Sequence, residues 1–459
     1  TTSKGSAAVW YKKADGILFL QDGSPAKIDK TGKIETYSFK VPQLASRSGW
    51  LKSGFEKAWL TMRDAWYDER FANHNWDKIR RKYAAVAGQM HDTRGLGQVV
   101  ELMLGELNGS HLGFYPNDES GDNKVEGWKD TTAHLGVRFK DDFQGPGLMI
   151  RDVLKDGPAD RSKSRLAAGD VVLSIDGTIV DPAMDLTEIL NGRLDRDIAL
   201  RVKRGNRVLG KDDEEREDGE FDVVIRPISY SSARSLLYEH WLDHNRVLVE
   251  KASEGRIGYL HIRAMNMSSF YEFERQLYNV GYGRQGLVID VRDNGGGSTT
   301  DLLLTALTQP RHAITQPRGG GQGYPQDRAV FASWSKPIIV LCNQNSYSNA
   351  EIFSHAIKTL GRGKVIGVQT AGGVVSTGSA TINDVGRIRV PFRGWFLLND
   401  GEDMERNGCL PHEVIWPNPA ELPQGIDRQL DRAIESLLEE IGEIQPPKKL
   451  RYASERDAG

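Results

Sequence analysis

Between residues 8 and 38, apolar and polar side chains alternate in short runs punctuated by Asp15-Gly16, Asp22-Gly23 and Thr31-Gly32. That rhythm predicts short strands joined by tight turns. Two hairpins alone are marginal, so the segment reads as the last piece of a larger all-β domain such as a propeller blade. From about 50 to 108 the period changes, with Trp, Phe, Leu, Val and Met recurring at spacings of three and four. This predicts helices over 49–68, 75–90 and 93–107, the last ending where Gly109 can terminate it. The aromatic stripe Trp50, Phe55, Trp59, Trp66 and Tyr67 reads as core. Residues 131–228 return to strands (HLGVRF, GLMIRDVL, GDVVLSIDGTIV, IALRVKRG, FDVVIRP) with one helix, AMDLTEILNG, among them. The acidic run at 211–220 reads as a solvated loop between the last two strands.

Beyond residue 229, strands alternate with helices: IGYLHI, QGLVIDVR, KPIIVLC, GKVIG and RIRVPF against SSFYEFERQLYNV, TDLLLTAL and NAEIFSHAIKTL. Alternation of this kind predicts an α/β layered domain with a largely parallel sheet. Chemistry in such domains gathers outside the carboxyl ends of the strands. DVRDNGGG (290–297) and NQNSYSN (343–349) both fall there. Ser348 is delivered at a strand-to-helix turn, where backbone N–H groups converge and the helix dipole favours negative charge. Such a position suits a serine nucleophile, whose attack creates an oxyanion. It also suits an ordinary helix N-cap, so Ser348 alone decides nothing.

Composition narrows the alternatives. A chain of 459 residues exceeds one core and predicts two to four domains. With 60 basic and 63 acidic residues the net charge is −3, which offers no field for nucleic acid or an anionic membrane. No apolar run approaches the roughly 18 residues of a membrane span. The two cysteines, Cys342 and Cys409, stand outside any CxxC or His/Cys cluster and read as buried thiols. No HExxH or comparable pairing occurs, so neither a metal nor a cofactor is expected. The first residue is not Met, and the chain reads as a fragment or processed form.

A serine nucleophile needs a base within hydrogen-bond reach. His355 lies seven residues along the same helix, roughly 10 Å away and too far. His111, in GSHLGF beside Ser110, is the stronger candidate. The carboxylate that would orient it lies in GEDMERNGCLP, where spacing does not choose among Glu402, Asp403 and Glu405. The triple glycine at 295–297 fits poorly as a phosphate cradle and better as an oxyanion loop. The N–H of Gly295 or Gly296 would then stand opposite that of Asn349. A lysine base remains open at this point.

In this order the pieces resemble the carboxy-terminal half of tricorn proteases, within the clan of tail-specific (carboxy-terminal-processing) serine proteases. LGVRF, the stretch 154–177 and the helix after it carry the PDZ-like part. DVRDNGGG, SYSNAEIFSHAIKTLGRGKVIG and DMERNGCLP carry the catalytic part. The resemblance implies a multidomain α+β and α/β fold covering essentially the whole chain. It comprises the end of a β-propeller-like domain (1–45), a helical domain (46–130), a PDZ-like domain (131–228), an α/β catalytic domain (229–445) and a disordered tail (446–459). Tail-specific proteases carry a lysine after a T-x-G element; here that element is GVQTAGGVV, with Gly373 at the lysine's place. A glycine takes no proton. The resemblance therefore implies a tetrad with Ser348 as nucleophile, His111 as general base, Ser110 bridging and Glu405 orienting the relay. The amides of Gly296 and Asn349 would bind the oxyanion, with Gly295 as alternate; Asn349 departs from the family's frequent Asp.

The leading expectation is a serine endopeptidase acting on peptides or unfolded segments, with activity rising through an imidazole pKa near 6.5. An inactive PDZ-containing peptide-binding scaffold and a Ser-Lys tail protease are the alternatives. The family also implies a homo-oligomer, cytoplasmic residence and downstream aminopeptidases as partners. The S1 pocket is expected to involve residues 311–328.

Overall fold

A computed structural model describes residues 5–11, 15–21, 23–38, 46–117, 131–194, 196–204, 219–310, 312–313, 315–316, 318–319, 332–442 and 450–455. Most of the acidic run at 211–220, most of 311–328 and most of the tail after Pro446 lie outside the described residues, and so do the expectations placed on them. The strands β1 (Gly5–Trp10), β2 (Gly16–Gln21), β3 (Ser24–Asp29) and β4 (Ile34–Thr36) form one antiparallel sheet in chain order. Gly23 and Gly32 sit at its turns with φ of 81° and 86°, which explains glycine at both.

Three helices follow: α1 (Arg47–Ala65), α2 (Trp76–Ala87) and α3 (Thr93–Gly105). Ser46, Asn75 and Asp92 cap them, each side chain accepting a backbone N–H from the first turn. Their apolar faces bury Phe55, Trp59, Trp66, Trp76, Val100 and Met103 in one core. The third helix ends four residues before Gly109. Asn108, not Gly109, takes the positive φ of 46°. Gly109 is needed because Trp66 packs on it; a Cβ there would lie 3.1 Å from the indole Cζ2.

The strand β5 (Gly113–Pro116) leaves this helical unit and joins a sheet built elsewhere in the chain. The next unit contains β6 (Ala133–His134), β7 (Val137–Phe139), β8 (Leu148–Val153), β9 (Val171–Ile175), β10 (Thr178–Ile179), the short helix α4 (Thr187–Leu190), β11 (Ile198–Lys203) and β12 (Glu220–Ile225). Its sheet runs β12-β11-β9-β8-β7, with β10 on β9. The helix predicted over 183–192 contracts to four residues. Asp181 and Asp185 instead accept the N–H groups of Ala183 and Thr187, which holds the approach as turns.

The chain then enters through β13 (Ile228–Ser229), α5 (Tyr230–Ala252), β14 (Ile257–His261), α6 (Met267–Asn279), β15 (Gly286–Asp290), α7 (Thr300–Thr308), β16 (Ile338–Cys342), α8 (Asn349–Thr359), β17 (Lys364–Gly367), β18 (Ser376–Ile382), β19 (Gly386–Arg393), β20 (Glu413–Val414) and α9 (Arg428–Gly442). A parallel sheet β14-β15-β16-β17-β20 forms the centre. Alternate residues serve opposite faces. Leu287, Ile289, Ile338 and Val340 meet α6, α7 and α8, while Val288, Ile339 and Leu341 meet α5 and α9. Burial on both faces explains the unbroken apolar runs of these strands.

One sequence expectation fails here. RIRVPF does not join the parallel sheet; β19 pairs antiparallel with β18 and with β5. Its residues are buried mainly on one side, as a half-covered antiparallel strand requires. Through Gly113–Pro116 pairing with Gly386–Arg389, the helical unit adds a strand to the unit that follows residue 228. Ile382, Val385, Ile388 and Val390 complete the helical core.

Candidate active site

Ser348 follows β16 and precedes the first residue of α8, with φ 56° and ψ −119°. A β-carbon residue in that region is strained, and such strain concentrates at functional turns. Two features hold it. Glu351, one helical turn on and fully buried, accepts the Ser348 N–H at 2.9 Å. Its two oxygens also accept Thr370 Oγ1 and the N–H groups of Gly372 and Gly373 at 2.6, 2.5 and 2.8 Å. The glycine loop packs against the same turn, since a Cβ at Gly296 would lie 2.6 Å from Ser348 Cβ.

His111 sits two residues before β5, in the left-handed region at φ 60°. Its Nε2 lies 3.1 Å from Ser348 Oγ, across 237 residues of sequence. Its Nδ1 lies 2.8 Å from Ser110 Oγ and 3.3 Å from Tyr347 Oη. The Tyr347 ring stacks on the imidazole with centroids 4.8 Å apart. Ser110 Oγ donates to Glu405 Oε2 at 3.0 Å, and the Ser110 N–H donates to Oε1 at 2.6 Å. These contacts dictate a tautomer. An ionised Glu405 only accepts, so the Ser110 hydroxyl proton points to it, and Ser110 oxygen accepts from His111 Nδ1–H. The Nε2 lone pair is left facing the Ser348 hydroxyl.

Of the three acidic residues that spacing left open, Glu405 is the one that meets Ser110. Asp403 accepts from Tyr67 Oη and from the Glu405 N–H, both at 2.9 Å, while Glu402 is exposed. Arg406 donates to the carbonyls of Leu107 and Asn108 at 3.3 and 2.8 Å, fastening the turn of Glu405 to the end of the helical unit. His355 is turned away and bonds Thr359.

The oxyanion residues are arranged less simply. The Gly296 N–H donates to Asn294 Oδ1 at 2.9 Å. Gly295, Gly296 and Asn349 all line the cleft beside Ser348, which has a volume of about 570 Å³. Asn349 opens α8, so its N–H has no intrahelical acceptor; its side chain accepts the Thr300 N–H. Gly373 has a steric reason. A Cβ there would lie 2.7 Å from Tyr347 Cζ, so the phenol ring fills the space a lysine stem would need.

Burial, with the charge of Arg389 as a lesser cause, pushes His111 down to about 4. The imidazole is then neutral through the neutral range and ready to accept. Activity carried by this base should therefore fall on the acid side near pH 4, not near 6.5, as protonation removes the acceptor. A kcat/KM profile between pH 3 and 9 reads this directly; an inflection near 6.5 would contradict it.

Sequence reasoning passed over Glu351, Tyr347 and Arg389. Glu351 was detectable, because Ser348-x-x-Glu351 has the spacing of a capping box. Tyr347 and Arg389 carry no such signal, since what they touch is far away in the chain.

Comparison with known proteins agrees with this architecture. The sequence matches peptidase family S41 over residues 256–415, the tricorn protease C1 domain over 52–105 and the PDZ domain over 133–212. The fold and site thus resemble those of serine peptidases of family S41, whose match here covers residues 256–415. Within that class the chain is related to the tricorn proteases along nearly its whole length. It is 29% identical to the tricorn protease of Thermoplasma volcanium, across 97% of this chain and 42% of that protein. Against tricorn protease homolog 1 of Streptomyces coelicolor the identity is 28%, across 89% of this chain and 37% of the relative. The chloroplastic C-terminal processing peptidase of Tetradesmus obliquus is 24% identical over 82% of this chain. The crystal structure of the tricorn protease superposes with a TM-score of 0.68 at 24% identity, covering 96% of this chain and 42% of that one. This chain thus spans less than half the length of these two tricorn relatives. Among the described residues no helix is long and apolar enough to cross a membrane, and no cluster of metal-ligating side chains occurs.

Proposed function

We propose that this peptidase cleaves peptides or unfolded segments internally through a Ser348–His111–Ser110–Glu405 tetrad. The observation that carries the proposal is the unbroken hydrogen-bond chain from Glu405 through Ser110 and His111 to Ser348. His111 Nε2 takes the Ser348 proton as Oγ attacks the carbonyl carbon. The charge appearing on the imidazolium is stabilised by Glu405 through the Ser110 hydroxyl. The tetrahedral oxyanion is received by the Asn349 N–H and by an N–H of the 295–297 loop. Gly296 serves if it gives up its bond to Asn294, and Gly295 is the alternate. Collapse passes the proton from Nε2 to the leaving nitrogen and leaves an acyl-enzyme on Ser348, which water hydrolyses by the same route.

The domain limits read from the sequence belong to this proposal, with the meander β1–β4 as the end of a propeller-like domain. The PDZ-like unit presents the edge strand β7 beside α4 over a groove of about 450 Å³, which suits capture of an extended peptide by strand addition. Cytoplasmic residence, assembly as a homo-oligomer and supply of products to aminopeptidases are proposed by analogy with the tricorn relatives.

Labelling with a serine-directed peptidyl phosphonate tests the nucleophile. One equivalent should attach at Ser348, found by peptide mapping, with parallel loss of chromogenic peptide cleavage. Labelling elsewhere, or cleavage that persists after full labelling, would refute the tetrad.

A further inference from the structure

His111 reaches Ser348 from a distant part of the chain, on a loop whose backbone lies in the left-handed region. Ser110, with Glu405 behind it, holds the Nδ1 edge of the imidazole. A face of the imidazole is held by the residue just before the nucleophile. The Tyr347 ring lies nearly parallel to it, with 22° between the planes and 4.8 Å between the centroids. Tyr347 Oη, 3.3 Å from Nδ1, offers a second oxygen to the N–H that Ser110 accepts.

Tyr347 has little freedom to sit elsewhere. Its N–H donates to the Asn294 carbonyl at 2.9 Å, and its own carbonyl accepts the Ala350 N–H at 3.1 Å. Gly373 crowds the ring, since a Cβ there would lie 2.7 Å from Cζ and 2.9 Å from Oη. The N–H groups of Gly373 and Ser348 both donate to Glu351 Oε1, at 2.8 and 2.9 Å, which ties the loop of Gly373 to the turn of Tyr347. The phenol therefore has one slot, and in that slot it covers the imidazole. Stacking restricts the tilt of both rings. An apolar ring laid on an imidazole also keeps water from it and disfavours its charged form. The charged groups around His111 are Arg389 from β19 and, behind Ser110, Glu405; Arg393 and Asp301 line the same cleft.

We propose that Tyr347 is the positioning residue of the general base: its ring sets the plane of His111 and keeps it dry, and Gly373 makes room for that ring. This role deepens, and rests on, the serine-peptidase reading of the cleft.

The test is the pH dependence of peptide cleavage by the full chain between about pH 3 and 9, with circular dichroism as the folding control. Tyr347→Ala should lower kcat about 10–100-fold with KM little changed, because a tilted base is misplaced for proton transfer. Its acid limb in kcat/KM should also move up from about 4 toward 6.5, since a wetted imidazole charges more readily. Tyr347→Phe keeps the ring, so its limb should stay near 4 and its rate within about fivefold of wild type. Gly373→Ala should copy Tyr347→Ala by displacing the ring, and adding it to Tyr347→Ala should cost little more. A tyrosine that served only the fold would lower the folded fraction and leave the limb in place. A folded Tyr347→Ala with an unmoved limb overturns the proposal, and so does a Gly373→Ala loss that persists undiminished in the Tyr347→Ala background. If Tyr347→Ala does not fold, Tyr347→Leu, apolar but without a flat ring, replaces it under the same criteria. Failed phosphonate labelling of wild-type Ser348 would strike the tetrad itself, whereas normal labelling with an unmoved limb strikes only the role given to Tyr347.

Discussion

Ser348→Ala is expected to lower kcat/KM for peptide cleavage by about 10⁴-fold or more, with KM and folding little changed. The hydroxyl it removes has one side-chain partner, His111 Nε2 at 3.1 Å, and most of what holds the turn survives its loss. That task falls to the Glu351 carboxylate on the backbone N–H. His111→Ala should cost nearly as much, and the double variant little more than either alone, because the two residues act as one unit. Glu405→Gln should cost about 10²–10⁴-fold. Three donors, the Ser110 hydroxyl and the N–H groups of Ser110 and Val374, converge on its two oxygens, and an amide would turn an NH₂ toward at least one of them. Steady-state kinetics with circular dichroism as a folding control reads all four variants. Wild-type turnover in folded His111→Ala would remove the imidazole from the mechanism.

The second large effect should come from a residue that touches no substrate. Glu351→Ala is expected to lower stability by at least about 3 kcal/mol and activity by about 10²-fold or more. The carboxylate is fully buried and satisfies four donors: the Ser348 N–H, the Thr370 hydroxyl and the N–H groups of Gly372 and Gly373. Each buried donor left without an acceptor costs about 1–3 kcal/mol, relieved in part where water can enter. The same loss frees Ser348 from its positive φ and loosens the loop whose Val374 N–H binds Glu405. Glu351→Gln should fall between, since its amide accepts on one oxygen only. Urea unfolding, together with the rate of phosphonate labelling, separates the two consequences. Unchanged stability in Glu351→Ala would refute the account of the turn.

Both variants show where sequence patterns suffice. Ser348 lies between an apolar strand and an amphipathic helix, and both are local patterns, so its turn was legible. The central strands were legible too, because burial on both faces writes an unbroken apolar run. RIRVPF was legible as a strand but not as a member of its sheet. Its partners are β18, one hairpin away, and β5, whose Gly113 pairs with Arg389, 276 positions further along the chain. The helix over 183–192 failed because two Asp side chains captured backbone N–H groups that a helix would have used.

The chain by itself determined the kinds of element present and the residues with nucleophilic, basic and acidic chemistry, because side-chain period and turn chemistry are local. Through its resemblance to tail-specific proteases it also argued against a lysine base, since Gly373 stands at the lysine's place. What only the tertiary structure decided is which groups meet. Glu405, and not Glu402 or Asp403, reaches Ser110; Tyr347 fills the space above Gly373; and burial, with the charge of Arg389 as a lesser cause, holds His111 near 4 instead of 6.5. The first and last of these depend on two strands, β5 and β19, bonding across the chain, whereas Tyr347 and Gly373 meet within the parallel-sheet unit. A contact between distant segments follows from the packing of whole faces, and no short window of sequence contains both sides of it.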